Sequence, residues 1–369
     1  MSENIIDIKK ISQDIIDLFK KYDSLLIYIN GSPDPDVIAS SFAIKELANI
    51  YNCKITIYSK KNVSLNQNSF LIKKIGIPIK FDKQKPNMIN FKGYIVLDFQ
   101  SCYVEEISDE LKCVLHIDHH SKDGDKIQPE LQIISPEVGS VSTIIALLLK
   151  ELKPQIKQPI FNRIATALFY GITSDTDDLK HSFPIDVEAI DFLKPSIIQT
   201  IIDYIKKTPH NEETRKIVNN ALLNHILYKD WFICGVGYLN EKHRDSIAIA
   251  GDYILQLEQD KNVVIFCIVE KDDYEGLYID ASFRTNNLAL DLNNFIKSIT
   301  HNGGGRKNKG AYQVNLDYFS KYADKELLWK IVSDTTISYM KNEIDNISSF
   351  KWSLSSVFNK FSNFFKKKQ

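Results

Sequence analysis

The chain has 369 residues, of which 44% are hydrophobic and 25% are charged, so it is a globular chain long enough for two domains. Its 46 basic and 47 acidic residues leave a net charge of -1. This balance excludes broad binding to long duplexes, because such binding needs a large positive field. A local basic pocket for a short anion is compatible with it.

The N-terminal segment and the cysteines indicate the compartment. The segment MSENIIDIKK carries acidic residues and lacks the apolar core of a signal peptide. Apolar runs such as IIALLL at 144–149 are too short to span a bilayer. Five scattered cysteines without a CxxC pair indicate reduced thiols. We therefore expect a cytoplasmic protein without a transmembrane segment.

Strands and helices alternate in the first part of the chain. An amphipathic helix is predicted over residues 5–22. Apolar runs rich in strand formers predict strands at 25–30, 54–59, 93–99 and 113–118. Helical patterns cover 37–51, 140–152 and 160–172. This alternation predicts an α/β domain over residues 1–205, with a mostly parallel sheet and helices on both faces.

The pattern changes after a charged segment at 206–224, which we interpret as a linker. Strands are predicted at 231–239, 262–270 and 276–284, and a helix near 287–299. A glycine loop within 301–316 leads into a further strand. We therefore expect a smaller α+β domain over residues 225–322.

A helical tail is predicted over residues 323–369. Its last part places apolar residues on one helical face: Phe350, Leu354, Val357, Phe358, Phe361 and Phe365. Serine, asparagine and lysine occupy the other face. The helix either docks on its own protein or a partner, or lies on an anionic membrane surface. A homodimer is left open.

Aspartates follow the predicted strands, at the end of a parallel sheet where ligands bind. Asp34 and Asp36 lie in a stiff turn with Pro33 and Pro35, and their paired carboxylates suit Mg²⁺ or Mn²⁺. The alternative for this pair is a surface turn with an aspartate as helix cap. Asp98 ends an apolar strand, where a buried acid is costly without a cation. The alternative to a metal ligand is that Asp98 contacts water at the edge of the sheet.

Titratable residues also cluster at the end of the fourth strand. Asp118, His119 and His120 are consecutive there. Because consecutive residues of an extended segment face opposite ways, the two histidines are expected to have different roles. One would bind metal and the other would contact substrate. Asp175 follows the helix of residues 160–172 in a Ser-Asp-Thr turn.

In chain order these motifs are DxD, a strand-end aspartate, DHH and an SDT turn. The series resembles the four motifs of the DHH phosphoesterase superfamily, in its nano-RNase, pAp phosphatase and exopolyphosphatase-like branch. The second domain is similar to the DHH-associated C-terminal domain, which holds substrate with a Ser-x-Arg strand and a glycine loop. The matching residues in this sequence are Ser282, Arg284, Gly303, Gly304 and Gly305, followed by Arg306.

The resemblance implies an enzyme with two divalent metal ions, for which Mn²⁺ is favoured and Mg²⁺ is the alternative. Asp34 and Asp98 would hold one ion. Asp36, His119, Asp175 and the bridging Asp98 would hold the other. Two such ions lower the pKa of a water between them and neutralise charge on phosphoryl oxygens.

The resemblance also implies the roles of the remaining motif residues. His120 and Asp98 would be catalytic, with His120 contacting the scissile phosphate or assisting the leaving group. Asp118 would orient a histidine. The implied reaction is hydrolysis of a phosphate ester or anhydride bond by activated water.

The sequence departs from the family pattern at two places. Asn30 stands where many members have a histidine, so it would be a weak metal ligand at best. After the glycines, Arg306, Lys307 and Lys309 replace the usual histidine and small residues, which favours phosphate as the bound group.

We expect a small phosphorylated substrate. A nucleotide phosphate or short single-stranded RNA or DNA is favoured, and polyphosphate comes next. The departures motivate a second hypothesis, a non-catalytic phosphate- or nucleotide-binding regulator that retains the fold.

Overall fold

The computed structural model describes residues 7–63, 65–120, 126–208, 212–271 and 276–366, with side chains described up to residue 346. The chain divides into two compact units, Met1–Pro209 and His210–Gln369. Each unit has its own sheet and its own hydrophobic core.

The first unit is built on a six-stranded parallel sheet with the strand order β3-β2-β1-β4-β5-β6. Its strands are β1 (Ser24–Ile29), β2 (Lys54–Ser59), β3 (Ile79–Phe81), β4 (Tyr94–Leu97), β5 (Cys113–Asp118) and β6 (Leu131–Ile134). Its helices are α1 (Ile8–Lys21), α2 (Pro35–Ile50), α3 (Asn66–Ile75), α4 (Val141–Leu152), α5 (Gln158–Asp175), α6 (Pro184–Leu193) and α7 (Gln199–Lys207). The strand order reverses between β1 and β4, and such a switch point is where parallel sheets bind ligands.

Side chains of the central strand β1 alternate between two apolar clusters. Leu25, Ile27 and Ile29 join the large cluster that contains the buried residues of helices α1 to α7. Leu26 and Tyr28 face the opposite side, which is covered by a smaller cluster including the 3-10 helix Met88–Asn90. The predicted fold class, a parallel sheet flanked by helices plus a second domain, is confirmed.

The second unit is built on a mixed sheet with the strand order β11-β12-β10-β9-β8-β7. Its strands are β7 (Ile226–Tyr228), β8 (Trp231–Asn240), β9 (Asn262–Glu270), β10 (Leu277–Arg284), β11 (Gly303–Gly305) and β12 (Lys309–Asn315). Its helices are α8 (Glu212–Asn224), α9 (Ser246–Leu257), α10 (Leu292–Ile299) and α11 (Lys325–Lys366). The β8–β9 pair is parallel, and the other pairs are antiparallel.

Two segments outside the expected second domain are part of the second unit. Helix α8 lies within the segment interpreted as a linker, and it buries Ile217 and Ala221 in a cluster with strand β9. Helix α11 buries Leu328, Val332 and Met340 at helical spacing in the other cluster of this unit. The apolar face predicted at 350–365 lies outside the residues whose side chains are described. Within the described part of the chain, no helix combines the length and apolar character needed to cross a membrane.

Docking of α11 can be tested with two adjacent leucines. Leu328 is buried against the sheet, whereas the side chain of Leu327 is exposed. We expect Leu328→Ala to lower the free energy of unfolding of the second unit by about 2–5 kcal/mol, because it leaves a cavity. Leu327→Ala should change it by less than ~0.5 kcal/mol.

Tryptophan fluorescence during urea unfolding gives the measurement. All three tryptophans, Trp231, Trp329 and Trp352, belong to the second unit, so their signal reports its unfolding. Equal effects of the two substitutions would contradict the docking of α11 through Leu328.

Candidate metal centre

Polar side chains from four elements meet at the carboxyl end of the parallel sheet. They follow β1, β4 and β5 or lie at the end of α5: Asp34, Asp36, Asp98, His119, His120 and Asp175. Among the described residues, two groups bring potential ligand atoms within 4.8 Å of one another. The first group is Asp36, His119 and Asp175, and the second is Asp98, His119 and His120.

Asp36 is fully buried in the first turn of α2. Its two carboxylate oxygens accept hydrogen bonds from the backbone N–H groups of Val141 and Ser142, each at 2.7 Å. These donors form the N-terminus of α4, where the helix dipole favours a negative charge. Loss of solvent and the charges of Asp98 and Asp175 nevertheless raise the pKa of Asp36 to about 8. Repulsion and burial therefore outweigh the helix at this carboxylate.

Asp34 is the N-cap of α2, as the helix-cap alternative expected. Its Oδ1 accepts a hydrogen bond from the N–H of Val37 at 3.0 Å. Loss of solvent raises the pKa of the Asp34 carboxyl well above its usual value, and the charges of Asp98 and Asp175 raise it further. The cap and the proximity to the other acids coexist, so the cap does not separate Asp34 from the site.

Asp98 lies where strand β4 ends and has a positive φ of 54°. Aspartate tolerates this left-handed conformation better than most residues, and its occurrence is typical of functional sites. The N–H of Asp98 still continues the ladder to Ile117 at 2.9 Å. The side chain is only 5% exposed, and its Oδ1 accepts no hydrogen bond from the described residues. A buried carboxylate oxygen that accepts no hydrogen bond is suited to binding a cation.

His119 directs one ring nitrogen into the acidic group. Its Nε2 lies 3.2 Å from Asp175 Oδ2 and 3.4 Å from Asp98 Oδ1. Its Nδ1 lies 3.3 Å from the carbonyl oxygen of Val138, which can only accept, so Nδ1 carries the proton. This orients Nε2 as a metal ligand. Burial opposes the charged imidazole, but the contacts with Asp175 and Asp98 outweigh it and raise the pKa of His119 well above its usual value.

His120 points differently, and its ring is 34% exposed. Its Nδ1 donates a hydrogen bond to Asp118 Oδ1 at 2.8 Å and lies 3.8 Å from Asp98 Oδ1. Burial opposes ionisation of Asp118, but the hydrogen bond from His120 and the charges of His120 and His119 hold its pKa below the usual value. Because Asp118 engages Nδ1, Nε2 is the ring atom of His120 that remains for another group.

The donor set fits a hard or borderline divalent cation. Carboxylate oxygens and imidazole nitrogen are the ligands preferred by Mg²⁺ and Mn²⁺ sites. Burial, followed by the charges of Asp98 and Asp175, raises the pKa values of Asp34 and Asp36, and a positive charge near these carboxylates would favour their ionised form. Asn30 directly follows β1 and is half-buried.

The predicted substrate residues lie in the second unit. Ser282 and Arg284 lie on the same face of β10, and Arg284 Nη1 donates a hydrogen bond to Ser282 Oγ at 2.9 Å. The guanidinium also donates from Nε and Nη2 to the carboxylate of Asp252. The side chain of Arg284 is 11% exposed, whereas that of Asp252 is 55% exposed. Arg284 is therefore held in place by groups of its own unit.

The three glycines form the edge strand β11 rather than a loop, because they must come close to neighbouring groups. A Cβ atom at Gly303 would lie 2.5 Å from Tyr312 Cβ, and one at Gly305 would lie 2.4 Å from the carbonyl oxygen of Lys309. Arg306 follows in a tight turn, in which its backbone N–H donates a hydrogen bond to the carbonyl oxygen of Lys309 at 2.7 Å.

The loop that supports His119 and Asp36 could not be predicted from the sequence. Val138, Val141 and Ser142 contact His119 and Asp36 through backbone atoms, which leave no residue signature. Asp186 was also missed, although Pro184 and an acid two residues later signal a helix start.

Removal of the charge on Asp98 tests the site. We expect Asp98→Asn to weaken Mn²⁺ binding by more than about 100-fold, because even residues that support metal ligands contribute 10- to 100-fold. The control is Asp178→Asn, since Asp178 has a similar φ of 51° but a 64% exposed side chain. Titration of free Mn²⁺ by electron paramagnetic resonance measures both. Full Mn²⁺ binding by Asp98→Asn would refute the assignment.

Two uncharacterized proteins of Methanocaldococcus jannaschii are similar in sequence. One is 29% identical over 313 residues, covering 84% of this chain and 62% of the relative. The other is 30% identical over 207 residues, covering 52% of this chain and 60% of the relative. The chain thus spans about three fifths of the length of the curated relatives that it matches.

A solved structure has the same fold. It is an exopolyphosphatase-related protein from Bacteroides fragilis, with a TM-score of 0.65 and 16% identity over 93% of this chain and 99% of that one. Residues 24–172 match the model of the DHH family, N-terminal domain. This range contains β1, β4, β5 and five of the six side chains that meet at the sheet end. Residues 24–172 are therefore similar to the N-terminal domain of the DHH family.

Proposed function

We propose that the protein is a two-metal-dependent phosphoesterase that hydrolyses a phosphate ester or anhydride bond of a small anion. One observation carries the proposal. Asp36, Asp98 and Asp175 place mutually repelling carboxylates close to His119 at the carboxyl end of a parallel sheet, and Asp98 presents a buried oxygen without a hydrogen bond from the described residues. A site that only stabilises the fold has no need for such repulsion, since paired or apolar side chains would serve better.

The resemblance to the DHH family implies which residues would hold the metals. Asp34 and Asp98 would hold one ion, with Asn30 as a weak additional ligand. Asp36, Asp98, His119 and Asp175 would hold the other, and these four contribute three carboxylates and one imidazole. Such a donor set favours Mn²⁺, with Mg²⁺ as the alternative. When bound, two divalent ions neutralise phosphoryl charge and make water a stronger nucleophile at neutral pH.

His120 would act on the substrate itself. Asp118 holds its Nδ1 at 2.8 Å and fixes the plane of the ring, which leaves Nε2 to meet a phosphoryl oxygen or the leaving oxygen. A histidine positioned in this way can hold or transfer a proton at that oxygen. Its 34% exposed ring is accessible to a substrate, unlike the buried ring of His119.

Basic side chains of the second unit support the proposal that the substrate is an anion. Arg284 on β10 pairs directly with Lys309 on β12, so two positive charges lie side by side on neighbouring strands. Arg306 and Lys307 belong to the turn that precedes Lys309. A phosphate bound at these positions would accept charge-assisted hydrogen bonds from basic side chains of both strands. A nucleotide phosphate or short single-stranded RNA or DNA is favoured as substrate, followed by short polyphosphate.

The test is a panel of phosphate substrates with Mn²⁺ or Mg²⁺. It contains pAp, RNA of two to five nucleotides, a cyclic dinucleotide, pyrophosphate and short polyphosphate. We expect turnover of one class that a chelator and Asp98→Asn abolish and that Asp178→Asn retains. Absence of turnover across the panel by folded, metal-loaded protein would reject the enzyme. It would favour a phosphate-binding regulator, for which the altered Asn30 and glycine turn are the motivation.

The contact between Arg284 and Asp252 generates a kinetic prediction. A substrate phosphate at Arg284 must compete with the carboxylate of Asp252 for the same donors. Asp252→Asn removes the competing charge, and we expect KM to fall about fivefold with kcat unchanged, as a partly exposed ion pair of ~1 kcal/mol would give.

Asp260→Asn is the matched control, because Asp260 pairs with Lys261 on the surface of the same unit. Its KM should stay at the wild-type value. A higher KM for Asp252→Asn would mean that Asp252 orients Arg284 for the substrate instead of competing with it.

A further inference from the structure

We infer that Asp186, which lies outside the four motifs, is a positioning residue for the metal centre. It would fix the backbone loop that orients His119 and Asp36. This inference rests on the proposed function, because it concerns the metal affinity of the same site.

The loop between β6 and α4 contacts two of the proposed metal ligands through backbone atoms. The carbonyl of Val138 accepts from His119 Nδ1 at 3.3 Å. The N–H groups of Val141 and Ser142 donate to Asp36 at 2.7 Å each. The positions of His119 and Asp36 therefore depend on what holds this loop in place.

Asp186 holds the loop at its centre. The N–H of Gly139, between the residues that contact His119 and Asp36, donates to both oxygens of Asp186 at 2.9 and 3.0 Å. Thr143 Oγ1 donates to Oδ1 at 2.5 Å, and the N–H of Phe183 donates to Oδ2 at 2.7 Å. Asp186 is fully buried, so these donors replace the water that an ionised carboxylate requires.

Gly139 is packed closely against Asp186 and Thr176, so no larger residue fits at this position of the loop. A Cβ atom at this position would lie 2.6 Å from Asp186 Oδ2 and 2.4 Å from Thr176 Cγ2. Thr176 directly follows Asp175, another proposed ligand. The contact of Asp186 with Gly139 therefore lies next to the end of α5, which supplies Asp175. It also lies next to the Val138 carbonyl and the N-terminus of α4, whose backbone atoms contact His119 and Asp36.

A simpler role for Asp186 is to cap helix α6. Its bond with the Phe183 N–H is the usual contact of an acid in the first turn of a helix. A cap accounts for that one contact, but Gly139 and Thr143 are 47 and 43 residues away in sequence. The two roles predict different results. Loss of a cap lowers stability alone, whereas loss of a positioning residue also lowers metal affinity in the folded protein.

The experiment measures Mn²⁺ affinity of the full chain by electron paramagnetic resonance, at a temperature where circular dichroism shows each variant folded. We expect Asp186→Ala to weaken Mn²⁺ binding about tenfold, the lower range for residues that support metal ligands. Asp186→Asn keeps one oxygen for Gly139 and Thr143, and we expect it to retain a larger part of the affinity.

Two controls separate positioning from stability. Asp291→Ala removes the N-cap carboxylate of α10 in the second unit, and Glu188→Ala changes an exposed acid on α6 itself. Both should keep wild-type Mn²⁺ affinity. If Asp186→Ala does not fold, Asp186→Asn and Thr143→Val take its place, and both should weaken binding.

The outcomes distinguish this inference from the proposed function. Wild-type Mn²⁺ affinity in the folded Asp186 and Thr143 variants would overturn the inference and leave the enzyme intact, with Asp186 as a helix cap only. Absence of Mn²⁺ binding by the wild-type chain would overturn the proposed function, and the inference with it.

Discussion

In the first unit, carboxylates that repel one another share one poorly solvated site, and the surrounding structure must hold them together. Asp34, Asp36, Asp98 and Asp175 converge from separate elements, and burial together with mutual charge raises the pKa values of Asp34 and Asp36. A protein can relieve such repulsion by protonation, by an internal cation or by a bound metal ion. His119 provides part of the compensation, since the acids stabilise its charged form. A divalent ion would provide more charge in the same place.

The surrounding backbone keeps the acids together despite this repulsion. Two N–H groups at the start of α4 bind Asp36, a left-handed turn directs Asp98 inward, and the Val138 carbonyl orients His119. None of these groups can move independently of the packed helices and strands around them. The free energy of the whole domain core therefore supports a locally unfavourable arrangement, which is the usual relation between a stable fold and a strained site.

The two units carry different chemistry. The first concentrates negative charge and imidazole at the end of a parallel sheet, a donor set that suits divalent cations. The second places Arg284 and Lys309 at opposed positions of a mixed sheet, and basic side chains of this kind suit anions. Arg284 is already engaged by Asp252, so an anion would have to exchange with that carboxylate.

The sequence by itself determined the longer strands, because apolar runs bounded by turn residues are local signals. Strands β2, β5 and β9 have the predicted bounds, whereas the short strands β3, β6 and β7 were not predicted. The tertiary structure alone decided which atoms support the candidate site residues. The bonds of Asp186 to Gly139, of Asp118 to His120 and of Asp252 to Arg284 depend on side-chain orientation or on packing between distant segments. The glycines became a strand because β12 and α10 approach them closely, a constraint absent from any local pattern.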